Sequence, residues 1–143
     1  MSMRSISVRL ASPLIASIFI RAGLDAAKSP EGKVKKAETV TGPIAERIPF
    51  LPDDTETLVR FNGVTQVVAG AMLSLGIFRR LSAAVLIATL VPTTLAGHRF
   101  WDELDDDARN MQIIQFAKNV GLLGGLLLIA TGTKPTRSAG TSM

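Results

Sequence analysis

Apolar positions in this chain gather into long blocks instead of recurring at the spacing of a half-buried helix or strand. The first block runs from about Leu10 to Ala27 (LASPLIASIFIRAGLDAA) and the second from Leu58 to Phe78. The third runs from Leu81 to Gly97 and the fourth from Met111 to Thr131. Each holds 17 to 21 residues, and a helix needs roughly 20 residues to cross the hydrocarbon core of a bilayer. Charged residues sit mainly between the blocks, as lipid requires. The pattern predicts an all-α polytopic membrane protein: a bundle of four transmembrane helices in a single membrane domain over residues 1–143, with a loop at 28–57. Arg4 and Arg9 ahead of an apolar run resemble a secretory leader, but the first block is expected to be a retained span.

The distribution of charge sets the expected orientation. Arg4, Arg9, Arg79, Arg80, Lys134 and Arg137 lie in short segments that hold no acid, whereas all 12 Asp and Glu residues fall at Asp25 or in the loops 28–57 and 98–110. Short basic segments stay inside. Both termini and the Arg79-Arg80 turn are therefore expected on the cytoplasmic side, with the two larger loops outside. Scattered at helix ends, the basic residues behind the net charge of +4 suit lipid headgroups better than nucleic acid.

Composition narrows the chemistry further. With no cysteine and one histidine, His98, the chain lacks thiol relays, iron–sulfur ligation and a bis-histidine haem site. No serine stands near His98 as a nucleophile, and the acidic run from Asp102 to Asp107 lacks the spacing of a calcium loop. We expect no catalytic residue, no metal and no cofactor held by this chain alone.

The long loop carries Pro43, Pro49 and Pro52, and its stretch Ile48-Pro49-Phe50-Leu51-Pro52 is apolar enough to lie on the membrane or cover the bundle. Asp53, Asp54 and Thr55 offer capping oxygens to the second helix. Phe100 and Trp101 suit the headgroup layer. Pro92 should bend the third helix near its outer end. Close helix contacts are expected at Gly63 and Gly70, at Ala83, Ala84 and Ala88, and at Gly121, Gly124 and Gly125.

The polar residues within the blocks form stripes. Arg21 and Asp25 are four apart on the first helix, Asn62 and Gln66 on the second, Thr94 and His98 on the third. On the fourth, Gln112, Gln115, Lys118 and Asn119 follow steps of three and four. All four stripes lie toward the outer ends. Two readings stand side by side. In one, Arg21, Asp25, Asn62, Gln66, His98, Gln115, Lys118 and Asn119 line a polar pocket with excess positive charge, suited to an anion, a lipid phosphate or the carbonyl oxygens of a quinone. In the other, they form a structural network that lets polar groups reside in lipid.

The stretch VRFNGVTQVVAGAMLSLGIFRRLSAAVLIATLVPTTLAGHRFW, the later QFAKNVGLLGGLLL and the opening IFIRAGLDAAK resemble the DoxX family of small four-helix bacterial membrane proteins. One branch of that family is linked to thiosulfate:quinone oxidoreduction, and another to a membrane oxidoreductase assembly with superoxide dismutase and a sulfurtransferase. The resemblance implies an accessory or scaffold subunit in a larger membrane complex, in contact with membrane lipids. A quinone- or sulfur-oxyanion-binding redox subunit is the alternative, and a small lipid- or solute-handling protein a third. The resemblance carries over no catalytic residue set, and the lack of cysteine argues against a thiol-based role here.

Overall fold

In the computed structural model, which describes residues 3–52 and 54–132, most of the described residues are helical. Helix α1 spans Met3–Lys28, α2 Glu31–Ala45, α3 Thr55–Leu75, α4 Arg79–Gly97 and α5 Asp106–Thr131, with a single 3-10 turn at Phe100–Asp102. Helices α1, α3, α4 and α5 are each long and apolar enough to cross a membrane. Among the described residues there is no strand. Asp53, Lys134 and Arg137, which entered the capping and topology expectations, lie outside the described residues.

The helix limits differ from those read off hydropathy, and local chemistry explains each shift. Helix α1 starts near Met3 instead of Leu10, because Ser7 and Ser12 return their hydroxyls to Met3 O and Val8 O at 3.0 and 2.6 Å. That keeps polar side chains compatible with a helix in lipid. Helix α3 lies three residues earlier than its apolar block. Asp54 caps it, accepting from Glu56 N and Thr57 N, and Gly76 ends it in the left-handed region at φ 77°. Gly76 N bonds Leu73 O and Ile77 N bonds Met72 O, the paired closure of a Schellman turn. The chain therefore reverses at 76–78, and Arg79-Arg80 open α4 instead of forming the turn. Asp105 caps α5 through Ala108 N at 2.9 Å, so the acidic run starts that helix.

The loop 28–57 holds a helix of its own. Ser29-Pro30 separates α1 from α2, Pro30 having no N–H with which to extend the α1 ladder, and Lys33 reaches back to Asp25 at 2.5 Å across the elbow. Helix α2 then runs over the ends of α3 and α4, where Thr41 Oγ1 meets Thr55 Oγ1 at 3.2 Å.

Packing is tightest between α1 and α3. A Cβ placed on Gly63 would lie 2.7 Å from Gly23 O and 2.8 Å from Ala27 N, and one on Gly23 would lie 2.5 Å from Gly63 O. The two backbones touch there, which only glycine permits. Next, α4 packs against both α3 and α5, while α5 meets α1 sparingly, with Ile15 against Gly125. Ala83 is fully buried, but Ala84, Ala88, Gly121 and Gly124 face outward, so those four expected contacts are not made within the chain. Pro92 lies inside α4, which continues to Gly97. Thr93 and Thr94 beside it bond Thr89 O and Leu90 O, each at 2.7 Å.

The bundle is divided along its length. The dry core of Ala16, Phe19, Leu73, Leu86, Leu126 and Ile129 fills the half next to the 76–78 turn. At that end Arg80 also donates to Gly132 O at the close of α5. The polar residues occupy the half beneath α2.

Asp54 yields a pH prediction. Its carboxylate accepts from the Thr57 hydroxyl, Thr57 N and Glu56 N, and these bonds hold it below the usual carboxylate range, the Thr57 hydroxyl most of all. A depressed folded-state value means that the cap contributes fully above the ordinary aspartate range and fades as pH falls through the lowered value. Asp54→Ala is therefore expected to lower the thermal midpoint at neutral pH. The difference from wild type should shrink in acid; an equal difference at both pH values would refute the cap's role.

Candidate functional site

The polar residues of the four spans do not converge on one pocket. Helix α4 divides them because its adjacent threonines point to different neighbours. On one side Asn62 Nδ2 donates to Thr93 Oγ1 at 3.1 Å, and Gln66 Nε2 reaches the same oxygen at 3.5 Å. These bonds join α3 to α4. On the other side Asn119 Nδ2 donates to Thr94 Oγ1 at 3.0 Å, joining α5 to α4. One turn nearer the α2 end, His98 Nδ1 lies 2.9 Å from Gln112 Oε1. An amide oxygen can only accept, so Nδ1 carries the proton in that pair. Gln115 is half-buried beside them, without a hydrogen bond among the described residues.

The charged members of the predicted pocket lie elsewhere. Arg21 is exposed on α1 and Lys118 is exposed on α5. Asp25 is turned away from the bundle toward Lys33 of α2, so the Arg21–Asp25 spacing produces no ion pair. Arg60 closes the α1–α3 contact at this end, donating to Ala27 O and to Glu56. The interior polar groups are consequently neutral amides, hydroxyls and one imidazole, most of them satisfied by one another. The charges of Arg21, Asp25 and Lys118 stay on the outside of the bundle.

Three hollows accompany this network. A crevice of about 110 Å³ lies between α4 and α5, walled by Leu90, Leu95, Phe116 and Leu123, with Thr94 and Asn119 at its side. A second, of about 200 Å³, lies under α2, with Ile44, Leu51, Leu58 and Phe61 around Asn62 and Thr93. The third, about 420 Å³, is open and polar, with Lys35, Lys36, Arg99 and Glu103 between α2 and the end of α4. Close by, Phe100, Trp101 and Phe116 stack edge to face at 5.0 to 6.2 Å, and Arg99 lies 5.3 Å from the Trp101 ring. This is a headgroup-level arrangement. Among the described residues no three His, Asp or Glu side chains cluster as a metal site would need.

Reasoning from sequence alone overlooked Thr93, the acceptor both α3 amides share. Its position was signalled by the Pro92-Thr93-Thr94 run, in which consecutive side chains on a helix must address different neighbours. Lys35 and Lys36 were also passed over, because nothing in the loop's composition marked them as part of a helix lying against α4.

Residues 9–99 match the family model described as DoxX. Over 67 residues the chain is 37% identical to the inner membrane protein YphA of Escherichia coli (strain K12), a match covering 47% of this chain and 47% of that protein. The chain thus matches about half the length of that curated relative. No solved structure matches it. The family match ends at Arg99, so Gln112, Gln115, Lys118 and Asn119 on α5 lie beyond it.

Proposed function

The chain belongs to the DoxX family, and we propose that it serves as a non-catalytic accessory or scaffold subunit of a redox or respiratory assembly in the bacterial inner membrane. The observation that carries this reading is the state of α5. Only 11% of its spanning window is buried by its own chain, against 28 to 33% for the other three spans. Ile114, Val120 and Leu128 stand exposed on it beside Gly121 and Gly124, where an added Cβ would meet nothing within 4 Å. In lipid, helices associate through close packing of small residues instead of apolar burial. Such a face suits a partner helix. The largely neutral and mostly self-satisfied interior supports the same reading, because Arg21 and Lys118 are both exposed outside it. The redox character of the partner is what the family resemblance implies.

The alternative, a quinone- or sulfur-oxyanion-binding subunit, would need Arg21 and Lys118 to act together, and the two side chains lie exposed on different helices. The inner-membrane location draws on the name of the Escherichia coli relative and on the basic residues gathered at the 76–78 end, which the positive-inside rule assigns to the cytoplasm. A single cysteine at Gly32 of α2 in this cysteine-free chain tests that orientation. It should react with a membrane-impermeant maleimide added outside spheroplasts, and labelling from the cytoplasmic side alone would reverse it.

The subunit reading is tested by mild-detergent purification from the native host and quantitative mass spectrometry. A redox or respiratory membrane protein should accompany the chain in stoichiometric amount, and a photo-crosslinker at Leu128 should capture it. A solitary protein that crosslinks to nothing but lipid would overturn the proposal.

A further inference from the structure

We propose that the segment Ile44–Pro52 is a re-entrant membrane anchor that places Phe50 among the acyl chains of the leaflet at the α2 end. Depth supplies the first argument. Ile44 and Leu51 share their hollow with Leu58, Phe61 and Pro92. Phe61 lies six residues into α3, about 9 Å below its start, and Pro92 five residues inside the end of α4, about 8 Å. Helix α2 therefore slants inward, and the turn that follows it lies level with the first two turns of the spanning helices instead of above them.

Exposure supplies the second. Phe50 is 96% exposed, and Ile44 and Ile48 are 38% and 45% exposed. Within the apolar stretch Leu51 turns toward the bundle, but the largest side chain, Phe50, points away from all of the described protein. At bilayer depth an aromatic ring in that position meets lipid.

The third argument is the backbone. Irregular chain enters hydrocarbon only when its polar groups are satisfied internally. Here Glu46 N bonds Gly42 O, Arg47 N and Ile48 N both bond Ile44 O, and Leu51 N bonds Ile48 O, at 3.0 to 3.2 Å. Pro49 and Pro52 have no N–H to satisfy. Among the described N–H groups of residues 46–52, only that of Phe50 is left without a bonded partner, so the turn carries a single free donor to the headgroup–acyl boundary. Glu46 and Arg47, both exposed, have stems long enough to keep their charges at the headgroups.

The test uses the full chain in lipid nanodiscs. Trp101→Phe removes the one native tryptophan, and Phe50→Trp then reports on the turn alone, circular dichroism confirming that helix content is unchanged. At a depth of some 5–10 Å below the headgroup boundary, emission from the introduced indole should be blue-shifted, lose about half its intensity when the lipids carry brominated acyl chains, and resist iodide. Water-like emission quenched by iodide and not by bromine would overturn the anchor. Blue-shifted emission quenched by neither would overturn it too, since the ring would then be covered by protein.

Discussion

Gly63→Leu is expected to prevent the four-helix bundle from assembling, lowering folded yield in detergent to the limit of detection. The Cβ position at Gly63 is closed on two sides by backbone, Gly23 O at 2.7 Å and Ala27 N at 2.8 Å, with Ala26 Cβ at 3.0 Å. Backbone atoms cannot swing aside as a side chain can. The leucine would have to push α1 and α3 apart along the closest contact in the molecule. Overpacking costs typically 1–3 kcal/mol where a core can adjust, and here it is expected to exceed that range. The contrast lies on α5. Gly121→Ala and Gly124→Ala introduce a Cβ into open space, and each should stabilise the isolated helix by up to about 1 kcal/mol through helix propensity. Size-exclusion profiles and thermal midpoints of the three variants check the set. A folded Gly63→Leu protein with a midpoint near wild type would show that α1 and α3 can separate there at little cost.

The same three glycines show what the sequence could and could not disclose. Long apolar blocks are dictated by the bilayer, so the four spans and the all-helical class were legible without any knowledge of neighbours. A glycine inside a span signals a close approach, but it does not say to what. Gly63 meets α1 within the chain, whereas Gly121 and Gly124 meet nothing within it, and no local pattern separates the two cases. The stripes are not joined into a single cluster for a related reason. Spacing of three or four residues places Asn62 with Gln66 and Arg21 with Asp25 on one face of a helix, but which face turns inward is settled by packing between helices. The Gly23–Gly63 contact fixes the rotation of α1 and leaves Arg21 outside. Helix boundaries failed in a third way: hydropathy sees lipid, while Asp54, Gly76 and Asp105 set the ends through hydrogen bonds that hydropathy does not register. Helix α2 was hidden because a short helix lying across other helices buries none of its residues fully and shows no long apolar run.

Thr94→Val is expected to loosen α5 selectively. Thr94 Oγ1 accepts from Asn119 Nδ2 at 3.0 Å while its own hydroxyl returns to Leu90 O, and the residue is only 7% exposed, beside the apolar crevice between the two helices. Valine keeps the shape and removes the acceptor, leaving the Asn119 amide facing Leu90, Leu95 and Phe116. A hydrogen bond between membrane helices is worth about 0.6 kcal/mol on average and up to about 1.7. An amide left unpaired in an apolar crevice belongs at the upper end, so a loss of roughly 1–2 kcal/mol is expected. For α5 that loss is large in proportion, because lipid provides little drive for apolar helix faces to associate and little of this helix is buried by the rest of the chain. Hydrogen exchange should rise along α5 while α1 and α3 keep their protection. Replacing both partners, Thr94→Val with Asn119→Leu, should recover much of the loss, since no donor is then stranded. Uniform exchange across all helices would mean that the threonine supports the bundle as a whole. If α5 is instead the helix that docks into a larger assembly, the native partner should restore its protection in Thr94→Val, because a neighbouring helix would then hold α5 from its other face.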